Sequence, residues 1–142
     1  MANYQPIGDG FFIGPQPTMQ DLQEAKQQGI NTVVDFRMPS ETTKSNKDMV
    51  EECGLDYVNI PVNKAALSQD QIGKLDEVLK EKEGPYLLHC ATGARAAMFL
   101  AMGRARRHNW TAEQTFEEAG RMGYNLKSSP DFAKFVTELI GK

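Results

Sequence analysis

Tyr86-Leu87-Leu88-His89-Cys90-Ala91-Thr92-Gly93-Ala94-Arg95-Ala96-Ala97-Met98 is the stretch around which the chain is organised. Gly84-Pro85 punctuates its start, and the apolar run Tyr86 to Leu88 suits a buried strand. The run ends at His89-Cys90, compact residues follow, and Arg95 opens an apolar run that suits a helix. The reading therefore places a cysteine at the C-terminal tip of a strand, in a tight loop, at a helix N-terminus. Backbone N–H groups curling into a helix N-terminus form an anion cradle. The same positive field favours a thiolate, so Cys90 is expected to be a nucleophile at neutral pH. Gly93 removes the Cβ where the loop turns or an anion comes close. Arg95 can grip two oxygens of a tetrahedral anion with its planar fork. Ala91, Thr92, Gly93 and Ala94 are expected to line the cradle, and His89 to hold its shape. The competing reading is a buried, inert cysteine followed by an ordinary helix.

His89-Cys90, a short loop and Arg95 resemble the phosphate-binding loop of dual-specificity-type cysteine phosphatases, which have five residues between Cys and Arg where this chain has four. The shorter spacing is similar to that of rhodanese-type sulfurtransferases. It is also similar to DUF442, the phosphatase-like domain of beta-lactamase hydrolase-like proteins. The DUF442 resemblance covers roughly residues 7–126. It includes Gln16-Pro17, the strand ending in Arg37 with Glu41 beyond it, Tyr57 before Ile60-Pro61-Val62, and Gly123-Tyr124. It implies a dual-specificity phosphatase type of fold. Arg37 would join the anion site or buttress the cysteine loop through an ion pair with Glu41; the alternative is two solvated loop charges. Dual-specificity phosphatases carry a leaving-group acid shortly after the strand matching 55–62. Here the positions read Asn63-Lys64. Asp70 and Glu41 are the substitutes within loops, and Asp56 sits within the strand.

The rest of the chain bounds these readings. With 142 residues and 40% hydrophobic content, a single domain over 1–142 is expected. A net charge of −3 argues against a nucleic-acid or acidic-membrane partner. No apolar run reaches membrane-spanning length, and Met1 to Tyr4 lacks the pattern of a signal peptide. A cytoplasmic chain is the expectation, though a mature periplasmic form with its leader removed is also compatible. Cys53 and Cys90 are far apart and lack metal-ligand spacing, which suits a reducing compartment. Cys53 reads as a small core residue, with a resolving role toward Cys90 as the alternative.

Thr18 with Asp21, Ser68 with Gln71, and Thr111 with Gln114 predict three capped helices. Phe11 to Ile13 reads as the first strand, and Ile30 to Phe36 and Leu55 to Val62 as further strands. Ile72, Leu75, Val78 and Leu79 predict the buried stripe of the helix after Ser68. The helix after Arg95 is apolar nearly all round and is expected to be the central buried one, its methionines filling the core. Arg104, Arg106, Arg107 and His108 read as a charge cluster at that helix's C-terminal end. Glu117 and Glu118 read as solvated surface, and Ser129-Pro130-Asp131 as the start of a last helix. Alternating strands and helices predict a layered α/β/α domain with a small, mostly parallel sheet.

Three functions fit. A cysteine-dependent phosphatase would form a phosphocysteine on Cys90. A sulfurtransferase would form a persulfide there. A non-catalytic module would bind an anion or phosphopeptide in the cradle alone. The substrate class is a small anion, a phosphate ester or a sulfur donor, and a phosphoprotein is one source of it. No cofactor is required by any of these readings.

Overall fold

The computed structural model describes residues 4–8, 10–38, 46–63, 66–90 and 93–140. Strands and helices alternate along the chain. The order is β1 (Gln5–Gly8), β2 (Phe11–Gly14), α1 (Met19–Gln27), β3 (Thr32–Asp35), α2 (Asn46–Glu52), β4 (Asp56–Asn59), α3 (Gln69–Glu81), β5 (Tyr86–His89) and α4 (Ala94–His108). Then come α5 (Ala112–Arg121), a 3-10 turn (Leu126–Ser128) and α6 (Pro130–Ile140).

The sheet has the order β1-β2-β5-β3-β4. β2, β5, β3 and β4 are parallel, and β1 runs antiparallel to β2 at the edge. β1 was not expected from the sequence. Gln5-Pro6-Ile7-Gly8 carries a proline and a glycine, both poor strand formers and both suited to an edge. The fold is the layered α/β type that the alternation predicts.

Side chains of the central strands alternate between two cores, as the period of a strand requires. Val33 and Leu87 pack with Leu22 and Ala25 of α1 and with Val50 of α2. Val34, Leu88 and Ile13 pack on the other face with Ile72 and Leu75 of α3, with α4 and with α6. Phe36 stacks on Phe99 of α4 at 5.6 Å between centroids, and Phe99 meets Phe135 of α6 at 6.1 Å. Met98 and Met102 are fully buried core filler.

All three helices expected to begin with capping boxes do so, at Thr18–Asp21, Ser68–Gln71 and Thr111–Gln114. In α3 the buried stripe is narrower than expected: Ile72 and Leu75 are buried, while Val78 and Leu79 are half-buried.

The basic run of α4 needs a correction. Arg104 does not project to solvent but is 7% exposed. It pairs with Glu118 of α5, which also accepts from Arg121 at 2.8 Å, and its guanidinium lies 5.7 Å from the centre of the Phe11 ring. Glu118 is therefore a nearly buried acceptor joining α4 to α5, not a solvated surface charge. Burial of an arginine requires such a partner. Among the described residues, no helix is long and apolar enough to cross a membrane.

Candidate active site

The parallel register brings the C-terminal ends of β2, β3, β4 and β5 to one edge. Gly14 and Asp35 flank His89, and Asn59 flanks Asp35. In open α/β sheets this edge is where ligands bind. Cys90 follows β5 directly, and α4 begins four residues later at Ala94. Gly93 caps α4 at φ 102°, a left-handed conformation that glycine adopts without a Cβ penalty. It supplies no side-chain cap, so the first-turn N–H groups are left facing the loop. The Gly93 N–H donates to Cys90 Sγ at 3.0 Å. Strand tip, cysteine, glycine N-cap and helix thus join as the sequence predicts. Ala91 and Thr92 lie outside the described residues.

Arg95 stands in the first turn of α4, half-buried, and its Nη1 donates to the Val62 carbonyl at 2.9 Å. The segment after β4 therefore anchors the arginine expected to grip the anion. That same segment is where dual-specificity phosphatases carry their acid. Cys90 itself has no exposed surface, so chemistry at its sulfur requires the surrounding loop to admit the substrate.

At the same edge of the sheet lies a buried polar cluster centred on Asp35, a residue given no role by sequence reasoning. Its Oδ1 accepts from the Arg37 backbone N–H at 2.9 Å and from Arg37 Nε at 3.1 Å. Its Oδ2 accepts from Arg37 Nη2 at 3.2 Å and from the Tyr57 hydroxyl at 2.8 Å. Asn59 Nδ2 ties the backbone together, donating to the carbonyls of Asp35 at 2.8 Å and Arg37 at 3.0 Å. Burial alone would raise the Asp35 carboxyl, but the Arg37 and Tyr57 donors, with His89 beside them, hold it below its ordinary value.

His89 Nδ1 is 3.9 Å from Asp35 Oδ1. Complete burial pushes the imidazole down to about 4, against the pull of Asp35. His89 is therefore neutral at neutral pH, and its contact with Asp35 is a dipolar one rather than an ion pair. It is the last residue of β5, next to Cys90 in the chain.

Arg37 corrects one expectation. It is 1% exposed, and two of its three guanidinium nitrogens are committed to Asp35. It does not present a fork to an incoming anion. Its carboxylate partner is Asp35; the expected partner Glu41 lies outside the described residues. The signal available in the sequence was the Asp-x-Arg spacing at a strand end, where both charges would be buried and would need each other.

Of the candidate acids, Asp56 opens β4 and pairs in register with Thr32, at the opposite end of the sheet from Cys90. That removes it from the site. Asp70 is exposed in the first turn of α3, in a surface hollow with Lys74, Glu77 and Arg106. Lys64 and Glu41 lie outside the described residues. Cys53 packs against the cluster on the α1–α2 face, 3.4 Å from Met19 Sδ, whereas Cys90 belongs to the cluster on the opposite face. Both are free. The packing role expected of Cys53 fits this placement, and a resolving role does not.

A residue whose place in the site was not foreseen is Tyr124. A Cβ built on Gly93 would overlap the Tyr124 hydroxyl and lie 2.7 Å from its Cζ. The phenol is thus seated on the loop at its glycine. Burial, and then the charge of nearby Cys90, raise its hydroxyl above the ordinary value, so it keeps its proton.

A family model described as "Beta-lactamase hydrolase-like protein, phosphatase-like domain" matches residues 3–107. The beta-lactamase hydrolase-like protein of Agrobacterium fabrum is 27% identical over 104 residues, covering 70% of this chain and 24% of that one. The chain thus spans about a quarter of the length of the curated relatives it matches. A crystal structure of a DUF442 protein from Shewanella putrefaciens CN-32 superposes with a TM-score of 0.78 at 20% identity, covering 99% of this chain and 89% of that one. A crystal structure of Pseudomonas aeruginosa TpbA, a Cys-to-Ser variant in complex with pTyr, gives 0.73 at 18% identity, with 94% and 82% covered.

Proposed function

Because the chain belongs to the family of the phosphatase-like domain of beta-lactamase hydrolase-like proteins, we propose that it is a cysteine-dependent phosphatase acting on a small phosphate monoester. The observation that carries this is the Gly93 N–H donating to Cys90 Sγ at 3.0 Å at the N-terminus of α4, with Arg95 in the next turn. In the reaction, the Cys90 thiolate attacks phosphorus, the bond from phosphorus to the ester oxygen breaks, and that oxygen takes a proton from solvent water. The loop amides and Arg95 hold the non-bridging oxygens as charge builds on them. Water then attacks the phosphocysteine, releasing phosphate and restoring the thiolate. The pTyr seen in the TpbA structure supports a phosphate ester as the class of substrate.

One observation favours a second reading, sulfur transfer. The loop is one residue shorter than in dual-specificity phosphatases, and Asn63-Lys64 stands where their acid would be. In this reading the Cys90 thiolate attacks the outer sulfur of thiosulfate and sulfite leaves. The resulting persulfide passes its outer sulfur to an acceptor thiol. Sulfite needs little protonation to leave, whereas an alkoxide needs a great deal, and general acid catalysis is worth about a hundred- to ten-thousand-fold.

The test is intact-protein mass after incubation with thiosulfate, beside an aryl-phosphate assay, with Cys90→Ser as control. Phosphate release that depends on Cys90, without a sulfur adduct, is the expected result. A one-sulfur gain on Cys90 that passes to an added thiol, with little phosphate release, would replace the phosphatase reading by the sulfurtransferase one. Anion binding with neither activity would leave only the binding module.

A further inference from the structure

We infer that Tyr124 is a positioning residue of the nucleophile loop, clamping Gly93 so that its N–H stays aimed at Cys90 Sγ. The inference rests on the reading of Cys90 as the nucleophile, but not on whether it attacks phosphorus or sulfur.

Two observations and one general property of glycine converge on it. The phenol occupies the space where a side chain on Gly93 would be, with its Cζ and hydroxyl closest to the loop. Gly93 is the residue whose N–H donates to the sulfur, and at a φ of 102° it stands in the left-handed region. Without a wall on its open side, a glycine in this conformation has the widest freedom of any residue to swing away.

Tyr124 is itself held. It follows Gly123, at φ 102°, and its backbone N–H donates to the Ala119 carbonyl at 2.9 Å, closing the end of α5. The tyrosine therefore enters the site from the α5 terminus, outside the 3–107 segment that the family model matches. Burial, and then Cys90, keep its hydroxyl protonated, so it adds no like charge beside the sulfur. The C-terminal third of the chain, on this reading, completes the loop that the first two-thirds builds.

The experiment compares the rates at which iodoacetate alkylates Cys90 and Cys53 in one protein, located by peptide mass, for wild type, Tyr124→Phe and Tyr124→Ala. Cys53 serves as the internal reference, since unfolding would accelerate its alkylation. In wild type, Cys90 is expected to react faster than Cys53. Loosening the bond from the Gly93 N–H to Cys90 Sγ should lower the Cys90-to-Cys53 ratio by about three- to ten-fold in Tyr124→Phe, and further in Tyr124→Ala, where the wall goes too. A purely structural tyrosine would change the melting temperature and leave the ratio alone. An unchanged ratio in both variants, with a fast wild-type Cys90, would overturn the role of Tyr124 and spare the nucleophile. A wild-type Cys90 no faster than Cys53 would overturn the nucleophile reading itself, and the clamp with it.

Discussion

Asp35 and His89 stand opposite each other on the two central parallel strands, Oδ1 and Nδ1 3.9 Å apart, both buried, with His89 next to Cys90 in the chain. The two groups answer to pH in the same direction. His89 is held down to about 4 by burial, against 6.5 when free. As pH falls below 6.5 the unfolded chain takes up a proton that the folded chain refuses. Stability should therefore drop through the window from 6.5 to about 4, by roughly 3 kcal/mol in all. Asp35, held below its ordinary value of 3.8, adds a contribution that is present above that value and is lost on further acidification. Urea unfolding at a series of pH values checks this. A flat profile between pH 6.5 and 4, or a fall unaltered by His89→Asn, would show that His89 is not the group responsible.

Arg37 separates structural from catalytic charge. Removing one partner of a buried pair leaves the other uncompensated, so Arg37→Ala is expected to cost about 3–5 kcal/mol. Because its fork is turned to Asp35 rather than to the loop opening, Arg37→Lys should keep most of the sulfate affinity of whatever fraction folds. Calorimetric titration of folded Arg37→Lys with sulfate provides the measurement. An affinity loss as large as that of Arg95→Ala would place Arg37 among the anion ligands after all.

Much of this architecture was legible because its signals are local. The capping boxes at Thr18, Ser68 and Thr111 need only four consecutive residues, and the strand, cysteine, glycine and helix sequence from Tyr86 onward lies within one short segment. What the sequence hid depends on groups that meet only in the fold. Glu118 looks like any helix-surface glutamate until α5 is laid against α4 and Arg104 needs a partner. Asp35 becomes a hub only when the register brings Tyr57, Asn59 and His89 around it. Tyr124 stands out in the sequence only through the Gly123-Tyr124 resemblance, which does not say that its ring lies over Gly93.

Cys90 and Arg95 should divide chemistry from binding. Cys90→Ser is expected to abolish turnover while retaining phosphate or sulfate binding, since the loop amides and Arg95 remain. Arg95→Ala removes a charged donor, worth about 1.5–3 kcal/mol, and should weaken sulfate by roughly ten- to a hundred-fold. It should also loosen the segment at Val62, whose carbonyl accepts from Arg95. Titration calorimetry with each variant reads both effects. Retention of most activity in Cys90→Ser would sink both enzyme readings, and an unchanged sulfate affinity in Arg95→Ala would show that its fork points elsewhere.

Gly93→Ala tests the contact between loop and tyrosine energetically, through two costs that can be separated. A Cβ at a φ of 102° is strained by about 1–2 kcal/mol whatever surrounds it. The same Cβ also collides with the end of the Tyr124 ring, which adds an overpacking cost of about 1–3 kcal/mol. Tyr124→Ala removes the ring, so the double variant should recover the collision cost and keep the backbone cost. Expressed as a double-mutant cycle in urea unfolding, the two changes should be less damaging together than the sum of each alone, by about 1–3 kcal/mol. Strict additivity would mean that the ring moves aside freely when the loop grows a side chain, and a tyrosine that moves aside freely is not clamping Gly93.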